Sequence, residues 1–185
     1  MASWGAVTGW WAGGWGEPVY YDYGDNLYYD DGAVYYNDQQ IATEDEYAQQ
    51  AIDLAAAGED QQPQNIEGSN ADDWMSLGVF ALSTGKDAEA VMMVQLAVSK
   101  DGVIAGTYTN TTTDKALPLH GTVDKKTQRA AWSIGDAGDP VMETGIYNLT
   151  KDETPLLVHF GKQKHQEWLM VRLEPPKENG AAAGK

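Results

Sequence analysis

From residue 74 onward, apolar and polar positions alternate with a period of two. Met92, Val94, Leu96 and Val98 fall on one side of a run, with Met93, Gln95 and Ala97 on the other. Ile104, Gly106 and Tyr108 alternate with Thr107 and Thr109, and Leu117, Leu119, Gly121 and Val123 with His120 and Thr122. This period gives a strand one buried face and one wet or partly covered face. Eight runs read as extended: 74–82, 91–99, 103–110, 116–123, 129–134, 141–149, 156–160 and 168–173. The polar segments between them are short. Such connections join antiparallel neighbours, because a parallel crossover takes about a dozen residues or more. Eight consecutive hairpin-linked strands protect their edges most simply by closing on themselves. The expected fold class is therefore mainly β, an eight-stranded antiparallel up-and-down barrel over 74–174, with a two-sheet β-sandwich as the alternative.

The first 57 residues follow other rules. Tyr28-Tyr29 and Ala33–Tyr36 flank Asp31-Gly32, a dipeptide suited to a tight hairpin, so strands are expected over 26–29 and 33–36. Paired tyrosines put a ring on each face of that ribbon. A lone two-stranded ribbon is marginal in water and needs a surface to lean on. Thr43-Glu44-Asp45-Glu46 is a capping box: the Thr43 hydroxyl accepts from the third amide of a helix, and Glu46 reaches back to the N–H of Thr43. A helix is expected over 44–57, with Tyr47, Ala51 and Leu54 on one face and Gly58 as its stop. The polar stretch 58–73, opening with Gly58-Glu59-Asp60-Gln61-Gln62-Pro63-Gln64, reads as a linker, and 175–185 as a disordered tail.

Charge sharpens this division. Of 28 acidic residues, fifteen lie in 1–73, where there is no Lys or Arg; the remaining thirteen are nearly balanced by all twelve basic residues. Four of seven Trp and eight of ten Tyr precede residue 48. The chain thus reads as an acidic, aromatic arm (1–57) mounted on a balanced barrel. The net charge of −16 opposes a phosphate backbone and argues against nucleic acid as a partner. With no cysteine, disulfides, thiolate metal sites and a cysteine nucleophile are excluded. No apolar run reaches the roughly 18–20 residues of a transmembrane helix. Neither a basic start nor an apolar core of a signal peptide stands at the N terminus, which reads either as cytoplasmic or as a start inside a longer precursor.

Candidate chemistry is sparse. Trp4, Trp10, Trp11 and Trp15, spaced by Gly and Ala, form a candidate interaction surface, since an indole offers an apolar body and one polar N–H. The competing reading is that they pack over the neighbouring domain. Tyr108, Trp132 and Trp168 have the strand parity to point into the barrel and are candidate ligand-binding residues, in competition with simple filling of a narrow barrel. Asp22, Asp25, Asp30 and Asp31 do not keep the spacing of a calcium loop, and Asp-Asp-Gly is already explained by the turn. His120 and His159 stand opposite their strands' core positions and His165 in a turn, without a zinc-ligand spacing. There is no Gly-x-Ser-x-Gly elbow, phosphate loop or Gly-x-Gly-x-x-Gly. A hydrolase would need two carboxylates, or a histidine and an acid, converging in a cleft. Lys125-Lys126-Thr127-Gln128-Arg129 reads as a solvated turn. No catalytic residue, cofactor or metal is expected.

Several blocks carry a resemblance: Val19-Tyr20-Tyr21-Asp22-Tyr23-Gly24, Tyr28-Tyr29-Asp30-Asp31-Gly32, Ala42-Thr43-Glu44, Trp74-Met75-Ser76-Leu77-Gly78-Val79-Phe80, the stretch from Val123 to Trp132, and Trp168-Leu169-Met170-Val171-Arg172-Leu173. Together they resemble a family of uncharacterised planctomycete proteins labelled mu-protocadherin, cell-surface protein. The resemblance implies export to the periplasm or cell surface and brings no catalytic residues; no cadherin calcium motif is present. Locally, Pro118-Leu119-His120-Gly121-Thr122 and Gly106-Thr107-Tyr108-Thr109-Asn110 resemble strands of avidin-like barrels. The pieces are adjacent here and far apart in avidins, so the likeness is one of barrel grammar.

The expected function is a non-enzymatic cell-surface or envelope interaction module, its aromatic arm contacting another envelope protein, a glycan or a second copy. The alternative is a small hydrophobic-ligand-binding barrel, lipocalin- or avidin-like in architecture.

Overall fold

The computed structural model describes residues 2–11, 15–59, 73–85 and 90–174; most of the stretch expected as a linker, and all of that expected as a tail, lie outside the described residues. Helix α1 spans Trp4–Trp10. Three short strands follow, β1 (Leu27–Asp30), β2 (Ala33–Tyr36) and β3 (Gln39–Thr43), and then helix α2 (Glu44–Ala57). The remaining strands are β4 (Trp74–Ser83), β5 (Met92–Ser99), β6 (Val103–Asn110), β7 (Lys115–Asp124), β8 (Arg129–Ile134), β9 (Val141–Gly145), β10 (Glu153–His159) and β11 (His165–Arg172).

Strands β4 to β11 form a closed antiparallel barrel in which each pairs with the next and β11 returns to β4, with Arg172 opposite Phe80 and Met170 opposite Leu82. This is the up-and-down barrel expected from the alternation. Some strands differ in extent, among them β10, which begins at Glu153 and not at 156. β9 stops at Gly145 because the chain turns there into a short 3-10 segment, Asn148–Thr150, and β11 begins at His165, so that histidine is a strand residue and not part of a turn.

The hairpin turn places Asp31 and Gly32 at φ 48° and 75°, the left-handed pair that matches the twist of the flanking strands. Asn37 and Asp38 repeat the device at φ 49° and 63° and fold β3 back onto β2, a third strand the sequence reading did not anticipate. Asn and Asp tolerate this region because their short side chains bond the local backbone. The capping box forms as expected: Thr43 Oγ1 accepts from Glu46 N at 3.2 Å, and Glu46 Oε2 accepts from Thr43 N at 2.9 Å.

The described residues of the arm, 2–11 and 15–57, lie against the barrel at two places. At the barrel end formed by the β5–β6, β7–β8 and β9–β10 connections, α1 acts as a plug. Ala2, Val7 and Trp11 are buried in the same apolar cluster as Leu77, Val98 and Leu149. The Trp11 indole donates to Lys100 O at 2.8 Å, and the Trp4 ring meets Tyr147 edge-on with centroids 5.2 Å apart. The three-stranded sheet and α2 cover the outer wall of the barrel. Tyr23, Leu27, Val34 and Tyr47 close over Leu157, while Ala51 and Ala55 pack on Ala131 and Val141. Small residues let α2 approach closely: a Cβ on Gly58 would overlap the backbone of Gly121 in β7. The outward faces of β8, β9 and β10 are therefore buried. The ribbon leans on the barrel, which supplies the third layer it lacks alone.

Candidate functional site

Three outward-facing residues from adjacent strands meet beneath this cover: Arg129 on β8, Glu143 on β9 and His159 on β10. Their inward neighbours Ala130, Met142 and Val158 belong to the barrel core, so strand alternation sends these three the other way. Arg129 and Glu143 are 4% and 0% exposed, and His159 is 2% exposed. Glu143 Oε2 accepts from Arg129 Nη2 at 2.5 Å and from Nε at 3.2 Å. Arg129 also donates through Nη1 to Gln50 Oε1 at 2.7 Å and through Nη2 to Tyr47 O at 3.1 Å, both on α2. Its guanidinium stacks 3.7 Å from the centre of the Tyr47 ring. His159 Nε2 lies 3.5 Å from Glu143 Oε1, without hydrogen-bond alignment, and makes an ion pair there when the imidazole is doubly protonated.

Burial acts on every group here, and the charges sort the outcome. Burial by itself would raise the Glu143 carboxyl, but Arg129 and His159 outweigh it and hold it below the ordinary carboxylate range. Tyr23 and Tyr47 are pushed well up, first by burial and then by the nearby Glu143 charge, so both phenols stay protonated. His165 stacks on Tyr29 at 3.9 Å between ring centres; burial, and then His159, lower its pKa. The histidine–acid pair that hydrolysis would ask for is thus present as His159 and Glu143, but sealed beneath the arm instead of facing a cleft.

Beside this network the arm and barrel leave an open seam. One groove of about 360 Å³ is lined by Val19, Tyr21, Tyr36, Ile41, Tyr47, Gln50, Lys126, Thr127 and Arg129. A second, of about 460 Å³, shares Gln50, Lys126, Thr127 and Arg129 and continues to Asp53, Leu54 and Asp124. The stretch 125–129 is therefore only in part the solvated turn expected of it. Lys125 and Lys126 are exposed, but Gln128 and Arg129 turn inward, because each finds partners on the arm. Gln128 Oε1 accepts from Val19 N at 2.8 Å and its Nε2 donates to Glu17 O at 2.9 Å.

The residues singled out from sequence are placed elsewhere. Trp11 is buried in the plug, and Trp4, Trp10 and Trp15 are half-buried against the same core. Lys100 and Lys125 stand over the Trp10 and Trp11 rings at 5.2 and 5.4 Å. Trp132 is 0% exposed inside the barrel, among Leu96, Leu119 and Met142, and its indole N–H has no hydrogen-bond partner. Tyr108 and Trp168 are half-buried near the barrel end opposite the plug, and Trp168 lies 6.4 Å from the Phe160 ring. Side chains such as Leu82, Val94, Leu156 and Met170 share the interior cluster with Trp132, and none of the three residues lines either groove described above. Among those residues no group of three His, Asp or Glu side chains is arranged to hold a metal ion, and no helix is long and apolar enough to cross a membrane.

No family model matches the chain, and no curated protein and no solved structure shows significant similarity to it. The protein is a closed β-barrel whose N-terminal segment packs over one barrel end and covers part of one wall.

Proposed function

We propose that this protein is a non-enzymatic binding module of the cell surface or envelope, and that its binding surface is the tyrosine-walled seam between arm and barrel. One observation carries the reading. The chain leaves a groove of about 360 Å³ that joins Tyr21, Tyr36 and Ile41 to Gln50, Lys126 and Arg129. That is within the range of about 300–1,000 Å³ common to ligand sites, with apolar walls and a few polar groups to fix orientation. Ile41 at 47% exposure and half-buried Tyr36 offer apolar surface at its rim. The tryptophans serve the plug in this reading, and the barrel is scaffold. Placement at the cell surface rests on the resemblance to planctomycete surface proteins.

The test is an array of envelope glycans and peptides probed with the full chain and with Tyr36→Ala, both checked for folding by circular dichroism. Binding that drops at least tenfold in the variant supports the groove. Binding that Tyr36→Ala leaves intact, or no binding to any glycan or peptide, overturns it.

A further inference from the structure

The polar groups of the seam have a sign. Arg129 has five N–H donors, of which four are used on Glu143 Oε2 (two), Gln50 Oε1 and Tyr47 O. One Nη1 N–H remains, on a side chain that is nine-tenths or more buried and lines both grooves. Because the Gln50 oxygen is held by Arg129, the Gln50 amide presents its NH₂ to the groove. Lys126 adds an exposed ammonium. The tyrosine end contains no carboxylate, and the Tyr21 hydroxyl is already donated to Thr127 O at 2.6 Å. At the far end Asp124 is engaged by the Thr127 hydroxyl at 2.7 Å and by Lys126 N at 3.0 Å, and Asp53 by Gln49 at 2.6 Å. The middle of the seam therefore brings together donors from three residues, Arg129, Gln50 and Lys126, in a chain whose net charge is −16.

From this we infer that the seam takes a carboxylated saccharide, an inference that rests on the groove being the binding surface. The ring's C–H face would lie on Tyr36 and Ile41, and its carboxylate would accept from Arg129 Nη1, Gln50 Nε2 and Lys126. Past these residues the groove is lined by Asp53 and Asp124, whose carboxylates oppose a second acidic sugar, so the seam fits one carboxylated ring. A neutral sugar can also accept from these donors, but each of its hydroxyls brings a proton that needs an acceptor in turn and no charge; a carboxylate is acceptor-only and makes charge-assisted bonds with Arg129 and Lys126. The acidic surface opposes an anion at long range, but at about 8–10 Å screening length that repulsion is weak at physiological salt, while contacts inside the seam are screened less.

Calorimetric titration of the full chain with galacturonate, with its methyl ester and with galactose tests the inference. The acid is expected to bind at least tenfold more tightly than either neutral probe, the scale of one lost charge-assisted hydrogen bond. Lys126→Gln should weaken the acid about tenfold and so bring it towards the neutral probes. Equal binding of all three probes, abolished by Tyr36→Ala, would overturn the carboxylate and keep the groove. Acid-selective binding that ignores Lys126→Gln would place the anion elsewhere and end the inference. If none of the three binds, the carboxylate inference falls, and the groove then stands or falls on the array.

Discussion

Replacing Glu143 by Gln tests the reasoning about what holds the arm to the barrel. The change preserves shape but removes the charge that answers Arg129. Arg129 is 4% exposed and cannot turn to water without lifting α2, since its other bonds go to Gln50 Oε1 and Tyr47 O on that helix. Removing one partner of a buried ion pair costs about 3–5 kcal/mol, mostly from the charge left behind. That is a large share of the roughly 5–15 kcal/mol by which domains are stable. At about 2–4 °C per kcal/mol for a chain of this size, Tm should fall by roughly 6–20 °C. Urea unfolding at pH 7, followed by tryptophan fluorescence, measures it. Adding Arg129→Met to Glu143→Gln should recover much of the loss, because no charge is then stranded. The pH dependence gives an independent check. The folded Glu143 carboxyl titrates below its unfolded value of about 4.3, so its stabilising contribution is complete above that value and is lost as pH falls through the folded pKa. Wild type should therefore lose stability on the acid side more steeply than Glu143→Gln. A loss below 1 kcal/mol with parallel acid limbs would refute the idea that this pair latches arm to barrel.

Two further substitutions probe the other contacts. Trp11→Ala should cost about 3–5 kcal/mol by unplugging the barrel end and removing the bond to Lys100 O; a loss under 1 kcal/mol in urea would mean that α1 rests on the barrel without sealing it. Gly58→Ala should destabilise by about 1–3 kcal/mol, because its methyl would overlap the Gly121 backbone and push α2 off β7. The same melt should show no such loss for Gly5→Ala, where nothing lies within 4 Å of the added carbon.

The barrel, the hairpin and α2 were legible in the chain because each rests on short-range rules. Period-two alternation places Val94, Leu96 and Val98 inside and Gln95 outside, whatever lies far away in sequence. Asp31-Gly32 bends the backbone by its own torsional preferences, and Thr43 with Glu46 starts a helix across a single turn. Closure also follows, since eight short-linked antiparallel strands have two edges that meet only each other. The Asn37-Asp38 turn carried the same kind of signal and would have announced β3.

What covers the barrel is a different matter, and only the fold decides it. Arg129, Glu143 and His159 come from three strands and are joined only through the barrel register, which sets Glu143 opposite both Ala131 and Leu157. In the sequence Arg129 reads as the end of a solvated turn and His159 as a residue on the face opposite its strand's core positions, and nothing singles out Glu143. Whether such a face meets water or another layer depends on whether a distant segment has the shape and bonding groups to replace the water. Here the tyrosine sheet and the alanine face of α2 do, so an outer wall became an interior and a basic turn became the floor of a groove. The tryptophans show the converse: they read either as an interaction surface or as packing over the next domain, and the surface they lean on is the barrel end that α1 fits.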